Sequence, residues 1–561
     1  LRKEHPSSLG KEPVTIGLWI GRSQTPNTFS ECIEWAQDIE LNPSGQKGFQ
    51  ISGCPWCGAR IVPVQDAPPR DNQFGFTAKN NSFKLHCPSI QCDFNEELPI
   101  QIVDEALYMN PPTILIGTVD KFARLTWEGR AGVFFGGEDN LPPSLIIQDE
   151  LHLLEGPLGS TTGIYEAAFG LLCELKGQKP KILASTATIR EADSQIRAIY
   201  GSSAHLFPSA GLDYSDSYFV KENPDRPGRT YVGVHCPSKT PSTSRIWVSS
   251  LLLQSQSQVE YDEPEETDGY WTLVAFHNTK YELGSSLTAG LDDIPARLQY
   301  LSPEPDGRRS LSPDDVMELS ANIPSSRIPD ALDRLSSPWY EKDSVAFVPC
   351  TKMFSVGVDI QRLGLMLVVG QPLQTSEYIQ ATSRVGRGKA PGLVVTLYSS
   401  GKPRDRAHYE RFRSYHSALY RWVEPTSVTP FSLSSRKRSL AAVFVILMRH
   451  WAGYTRNEDA RRFDPESEGV SRIIEGLYRR ALQSDPSEAE NVRLYLQKLA
   501  EDWGSLIREI PDLSFHDNNR GSNKTLLKAF GDSYGQWEAH HSMRNVDVQT
   551  PIDVIDWRLN D

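Results

Sequence analysis

The chain has 561 residues, a formal net charge of -13, 39% hydrophobic and 23% charged residues. These proportions are those of a soluble globular protein, and the length predicts about three or four domains. The negative charge excludes nucleic-acid binding through overall charge, so any such contact must use local basic grooves.

The start, LRKEHPSSLGKEPVTIGLW, lacks the apolar core of a signal peptide. It opens on Leu1 rather than Met and enters structured-looking sequence at once, which reads as a fragment or a processed chain. No apolar run reaches the roughly 18 residues of a membrane helix. Eight cysteines are too few for a disulfide scaffold. Four cluster and four are scattered, which fits a reducing cytoplasm and no membrane contact.

The first apolar runs are VTIGLWI (14–20), TILIGTV (113–119), SLIIQ (144–148) and KILAST (181–186). Continuous runs of this kind predict buried parallel strands. A cysteine-bearing insert at about 45–100 interrupts them, and a Pro/Ser/Asp-rich stretch at 206–245 reads as a connector. A second series follows: the helix-like IWVSSLLLQ, then WTLVAFH (271–277), SVAFVPC (344–350), LGLMLVVG (363–370) and GLVVTLY (392–398). The polar stretches 255–269 and 302–313 read as mobile loops. From about 403 the pattern turns helical, clearest in 439–454 and 491–510. The predicted fold class is α/β: two parallel-sheet units followed by a mainly helical C-terminal region.

The second of these units and the first both carry polar groups at strand ends. The run LIIQ ends in Asp149-Glu150-Leu151-His152, placing two carboxylates at the C-terminal edge of a parallel sheet, where such folds bind ligands. The first acid can hold Mg²⁺ and the second can deprotonate an attacking water. A zinc-protease reading fails, because Gly156 stands where an inverted zincin needs His. Ser185-Thr186-Ala187-Thr188 closes the next strand. Downstream come TKMFSVGVDI (351–360) and EYIQATSRVGRG (377–388), in which Gln380, Arg384 and Arg387 form QxxxRxxR. Arginines three apart on a helix share a face, and guanidinium pairs suit a γ-phosphate.

With these motifs in order, the chain resembles superfamily-2 DExH helicases and, within them, the DISARM anti-phage helicase family. The residues that carry the resemblance are 113–125, 143–160, 185–188, 355–372 and 377–387, with HYERFRSYHSALYRWVEPTSVTPFS (408–432) beyond them. It covers nearly the whole chain. It implies two RecA-like domains with ATP at their interface, DNA favoured over RNA as the bound strand, and a partner protein from the defence system. In that frame residues 1–205 are a partial first domain with a zinc-ribbon insert, 206–402 the second domain, and 403–561 a helical extension. Asp149 corresponds to the Mg²⁺ ligand and Glu150 to the base. His152, Ser185, Thr186 and Thr188 correspond to coupling residues. Thr118, Asp120, Lys121 and Thr351 correspond to nucleic-acid contacts. Gly357, Asp359 and Gln380 lie on the nucleotide side, and Arg384 and Arg387 correspond to arginine fingers. Ser383 replaces a commoner Gly, and Pro349-Cys350-Thr351 a commoner Ala-Thr.

One part is missing from the sequence. No GxxxxGK[ST] occurs; GKE (11–13), GKA (388–390) and GKP (401–403) all lack the required Ser or Thr. Triphosphate binding without that loop's N–H groups and Lys should be crippled. The opening VTIGLWIGRSQTPN resembles family sequence downstream of the loop, so the chain is expected to begin after it and to turn ATP over negligibly by itself. The competing reading is a nucleic-acid-binding scaffold, inactive as an ATPase, that acts through a partner.

The insert carries Cys54-Pro-Trp-Cys57 and Cys87-Pro-Ser-Ile-Gln-Cys92. CxxC and CxxxxC knuckles together supply four thiolates, a closed tetrahedral set for a structural Zn²⁺. In RDRAHYERFRSYHSALYRW (404–422) the aromatics read as core residues, and the arginines are open between surface and phosphate contact.

Overall fold

The computed structural model describes residues 5, 7, 12–43, 49–63, 73–137, 140–186, 192–208, 212, 218, 219, 221, 223, 228–261, 263–324, 327–355, 358–516 and 524–544. It divides into two compact units, one from Leu1–Ser44, Ile51–His205 and Thr426–Asp561, the other from Gly45–Gln50 and Leu206–Pro425. The region expected as a helical third domain is therefore shared: 403–425 lies in the second unit and the helices beyond it build the first.

In the first unit, β1 (Ile16–Trp19) is flanked by two further strands. The antiparallel hairpin of β2 (Phe76–Lys79) and β3 (Ser82–Leu85) belongs to the cysteine insert. Then come β4 (Ile100–Gln101), β5 (Ile114–Gly117), β6 (Leu145–Gln148) and β7 (Lys181–Ala184). A parallel sheet has the order β4-β1-β5, and β6 pairs with β7 in parallel register, Ile146 opposite Ile182. All four apolar runs of the sequence are strands. Trp19 at the end of β1 is fully buried, with Phe122 and Phe134 edge-on at 5.1 and 5.0 Å. One face of these strands is apolar but open: Ile114 is 48%, Ile116 51% and Ile147 68% exposed.

The core of the unit lies between two helices, Gly156–Leu175 and Leu433–His450. The second contains Leu440–His450 as an unbroken buried run, the mark of a helix enclosed on all sides. At its end Arg449 donates to the Thr126, Trp127 and Thr455 carbonyls at 3.1, 3.2 and 3.0 Å, and His450 Nε2 donates to Leu125 O at 2.7 Å. These bonds satisfy carbonyls that would otherwise be buried without donors. Burial lowers Arg449 to about 10 and His450 to about 3, since the charged forms are poorly solvated there.

The second unit is one five-stranded parallel sheet: β8 (Arg229–His235), β9 (Leu273–His277), β10 (Phe347–Cys350), β11 (Leu365–Val369) and β12 (Gly392–Tyr398), ordered β10-β9-β11-β12-β8. Strands β9, β10 and β11 are apolar nearly throughout because both faces are covered, whereas the edge strand β8 is partly exposed. Val274, Phe276, Val348 and Val368 pack on one side, and Leu273, Ala275, Phe347 and Leu367 on the other. The edge strand β8 lies inside the stretch read as a connector. Its alternation is broken by Gly233, where a Cβ would lie 2.7 Å from the Phe412 ring. The polar stretch 255–269 likewise contains the start of a helix, Pro264–Trp271, with Pro at its first turn. Among the described residues no helix is long and apolar enough to cross a membrane.

His450 gives the first unit a pH dependence. Its folded pKa lies below its ordinary 6.5, so it contributes stability that is present above that value and lost as pH falls toward about 3. Between about pH 7 and pH 5, urea unfolding should lose stability less steeply in His450→Gln than in the parent, by up to about 1.4 kcal/mol per pH unit. Gln keeps a donor for Leu125 but cannot titrate. Equal slopes for the two proteins would rule the assignment out. His516 and His540 are also lowered by burial, so part of the slope should remain.

Candidate functional site

The two acids follow β6 directly. Ser185, which follows the paired strand β7, donates its hydroxyl to Asp149 Oδ1. The Glu150 N–H donates to the same oxygen at 3.0 Å. Backbone bonds Ser185 N to Gln148 O and Leu151 N to Ser185 O, both 2.9 Å, extend the β6–β7 pairing into the turn. Glu150 has φ 52 and ψ 47, the sole non-glycine with positive φ among the described residues. Side chains rarely adopt this conformation, which costs of order 1 kcal/mol or more and persists only where neighbours impose it. It is here that the turn lifts the Glu150 carboxylate off the strand line.

His152 is buried beneath this turn, its Nδ1 3.4 Å from Glu150 Oε2 and 3.4 Å from Thr186 Oγ1. Asp149, Glu150, His152, Ser185 and Thr186 thus form one connected polar group at the ends of two adjacent strands. Thr188 lies outside the described residues. Gln195, which the sequence reading did not single out, closes the group from below: its buried Nε2 donates to Leu151 O at 3.2 Å and Leu154 O at 2.7 Å. A glutamine on the buried side of the amphipathic helix Ala192–Tyr200 was the available signal.

In the second unit the two arginines are not on a helix. The helix Thr375–Thr382 ends before them, and they occupy the turn that leads to β12. Gly386 has φ +70, and a Cβ there would lie 2.5 Å from Gly392 N; one at Gly388 would lie 2.4 Å from Gln361 O. The glycines therefore let the chain turn tightly where a continued helix was expected. The guanidinium of Arg384 donates to the Ser355 and Val358 carbonyls. Gly357 lies outside the described residues. Arg387 is exposed; its Nη1 pairs with Asp359 Oδ1 at 2.8 Å and its Nε donates to Ser383 O at 2.9 Å. Gln380 is half-buried on the last turn of the preceding helix.

The residues expected on a nucleic-acid path have varied surroundings. Thr118 is exposed just beyond the end of β5. Thr351 follows β10 and its N–H donates to Leu319 O at 3.3 Å. Asp120 accepts from Ser542 Oγ at 2.6 Å and pairs with Arg544 Nε at 2.9 Å, tying down the chain near residue 544. Lys121 is buried: its Nζ lies 2.5 Å from Asp104 Oδ2, 3.1 Å from Asn27 Oδ1 and over the Trp19 ring. Burial pushes the Lys121 pKa down and that of Asp104 up, each opposed by the other's charge. In this arrangement the Lys121 ammonium faces an internal partner instead of a phosphate. The cause is the position of the residue on the short helix Val119–Phe122, which turns it toward Trp19.

The four insert cysteines meet. Cys54, Cys57, Cys87 and Cys92 hold their sulfurs within 4.8 Å of one another. Cys57 and Cys87 Sγ are 3.4 Å apart, and Cys54 and Cys92 Sγ 3.9 Å. A tetrahedral set with metal–sulfur bonds of about 2.3 Å requires sulfurs about 3.8 Å apart. The first knuckle turns at Gly58, φ +79, with its N–H bonded to Cys54 O at 2.9 Å. In the second, Ser89 N–H donates to Cys87 Sγ at 3.4 Å, the kind of contact that steadies a thiolate ligand.

The chain is 33% identical to the DISARM protein DrmA of Bacillus paralicheniformis (strain ATCC 9945a / NCIMB 11709 / CD-2) over 608 residues, covering 99% of this chain and 54% of that protein. It thus spans about half the length of the curated relative it matches. No protein-family model matches the chain. Among solved structures it is similar to the DUF1998 helicase MrfA bound to DNA, with TM-score 0.46 and 14% identity over 77% of this chain and 46% of that one. Similarity to the Mycobacterium smegmatis helicase Lhr bound to ssDNA and AMP-PNP has TM-score 0.43, at 13% identity over 82% of this chain and 51% of that one. With 33% identity along 99% of its length, the chain is similar to the DISARM protein DrmA, and it is built of two parallel α/β units.

Proposed function

We propose that the chain forms the motor core of an ATP-dependent DNA helicase or translocase that serves anti-phage defence with a partner protein. One observation carries this reading: the acids after β6 are hydrogen-bonded to the end of β7 through Ser185 and, by way of His152, Thr186. A carboxylate that shifts when Mg²⁺ or phosphate changes would move that neighbouring strand end, which is the link a motor needs between hydrolysis and movement. Asp149 would hold Mg²⁺ and Glu150 would take the proton from the attacking water. Thr118 and Thr351 would contact the bound strand. The relative's name as a DISARM protein supports the defence setting.

The two arginines divide their work. Arg384, held by carbonyls at three of its nitrogens, positions Val358 and with it the neighbouring Asp359. Arg387 is exposed, and its pairing with Asp359 holds a guanidinium ready to exchange one anionic partner for another, so it is the finger. Gln380 supports it from the preceding turn. ATP turnover further needs a phosphate-holding loop, and no GxxxxGK[ST] occurs in the sequence. That absence favours a second reading, in which the chain binds DNA as a scaffold and leaves hydrolysis to another component. The cysteine cluster would hold one structural Zn²⁺, since four thiolates leave no open coordination position.

Three outcomes test these assignments. The 561-residue chain alone should hydrolyse ATP negligibly; supplied with the phosphate loop of a longer DrmA-like protein, it should turn over, and Glu150→Gln should then lower the rate by about 10² or more while ATP still binds. Arg387→Ala should lower turnover by about 10³ in the same protein without loss of folding. Robust Glu150-dependent hydrolysis by the chain alone would show that another segment cradles the phosphates, and DNA binding with no hydrolysis in either form would favour the scaffold. Elemental analysis should find about one zinc per chain, and Cys57→Ser should release it while circular dichroism of the rest is kept; metal-free protein with an ordered insert would exclude the zinc.

A further inference from the structure

The expected nucleic-acid path of the first unit lacks a cation where the sequence places one. Lys121 is buried and paired with Asp104. Its neighbour Asp120 has the wrong sign, since a carboxylate so near Thr118 would repel a passing phosphate.

A distant segment of the same unit reaches this place, following the strand Trp537–Ala539. In it His540 and Met543 are buried, while His541 and Arg544 are exposed. Trp127 holds the segment: its Nε1 donates to His540 O at 2.8 Å, and its ring stacks on His541 at 4.2 Å. Three donors then converge on the Asp120 carboxylate, although 424 residues separate it from Arg544. Ser542 Oγ donates to Oδ1 at 2.6 Å, the Arg544 N–H donates to the same oxygen at 2.9 Å, and Arg544 Nε pairs with Oδ2 at 2.9 Å. The acid is thereby neutralised. The Arg544 side chain is 67% exposed, and among the described residues its two terminal nitrogens have no partner. A guanidinium anchored through Nε by a carboxylate keeps its outer edge fixed, with N–H groups in the fork that fits phosphate oxygens. A loose surface arginine would have to be ordered on binding, at a cost in affinity.

We propose that Arg544 is the phosphate-contacting cation of this path, and that Asp120 is its positioning residue. The ligand is the sugar-phosphate backbone of a single nucleic-acid strand. Such a contact reads no base, which suits movement along any sequence. The assignment rests on the reading of Thr118 as a strand contact and does not require ATP hydrolysis.

Binding of a dye-labelled oligothymidine to the full chain, followed by fluorescence anisotropy over a range of salt concentrations, tests this. Arg544→Gln should weaken binding about fivefold at about 0.1 M salt and reduce the slope of log affinity against log salt by about 0.7, the share of one phosphate contact on a single strand. Arg544→Lys keeps the charge and should restore the slope, with less than the full affinity, because one ammonium cannot reproduce the fork that serves Asp120 and a phosphate together. Ser542→Ala removes one anchor and no charge, so its slope should equal the parent's. A parent-like slope in Arg544→Gln, or an equal loss of slope in Ser542→Ala, would show that the segment only fastens the C-terminal region, and would overturn this assignment alone. A parent chain that binds no oligothymidine overturns the reading of Thr118 and this assignment together.

Discussion

Burial of the helix Leu433–His450 against Gly156–Leu175 is the constraint on which the first unit depends. The second of these helices begins six residues after Glu150, so its position sets where the acidic turn can lie. Close approach is made possible by Gly163, where a Cβ would lie 2.5 Å from Pro430. The chain entering the C-terminal helix adds direct bonds: Gly156 N donates to Ser427 O at 2.9 Å and Thr429 N to Ser160 Oγ at 3.0 Å. A segment about 270 residues further along the chain therefore fixes the helix that carries on from Asp149 and Glu150. Apolar burial of this kind contributes about 25 cal/mol per Å² and has no direction of its own. Direction comes from Arg449 and His450, whose bonds to carbonyls of 125–127 and 455 select one rotation of the helix.

On that base the acidic turn can hold a conformation that a free peptide would avoid. Glu150 stays left-handed because the residues on either side are tied to Ser185 and the turn closes through Leu153 N to Glu150 O at 2.9 Å. The same ties place Asp149 beside the Ser185 hydroxyl. Lys121 and Asp104 show the opposite use of charge. Their pair is nearly dehydrated, a situation in which desolvation offsets much of the attraction. Its effect is to seat the short helix after β5 against Trp19.

Much of this was legible in the sequence, for physical reasons that can be named. A strand covered on both faces must be apolar at every position, so β9, β10, β11 and β12 stood out as runs; β1, β5, β6 and β7 stood out as apolar runs as well, although β5, β6 and β7 each leave one face open. Paired cysteine knuckles specify their own geometry, and the four sulfurs do meet. What was not legible depended on contacts distant in sequence. β8 has only one sheet neighbour and yields a side-chain position to Phe412 through Gly233, so its pattern is weak. Lys121 reads like any basic residue beside an aromatic until Asp104 and Asn27 are placed next to it. The apolar sequence of Leu433–His450 announces burial but not against which unit. The grouping with the first unit follows from packing partners up to about 320 residues away.

The turn holding Arg384 and Arg387 shows how a short motif can carry two different tasks. On a helix, residues three apart would point the same way and compete for one ligand. The turn after Thr382 separates them. Arg384 is directed back to the Ser355 and Val358 carbonyls, where a planar group with five donors can bridge two backbone sites that no lysine could span. Arg387 is directed outward, with Asp359 as its partner. Because Asp359 directly follows Val358, whose carbonyl Arg384 holds, the first arginine determines where the second one's partner stands. Exchange of Lys for Arg at position 384 would keep the charge and lose the bridge, and the Asp359–Arg387 pair would lose its fixed position with it. Charge in this turn is therefore placed by backbone hydrogen bonds, and only the outer arginine is left where an incoming anion can reach it.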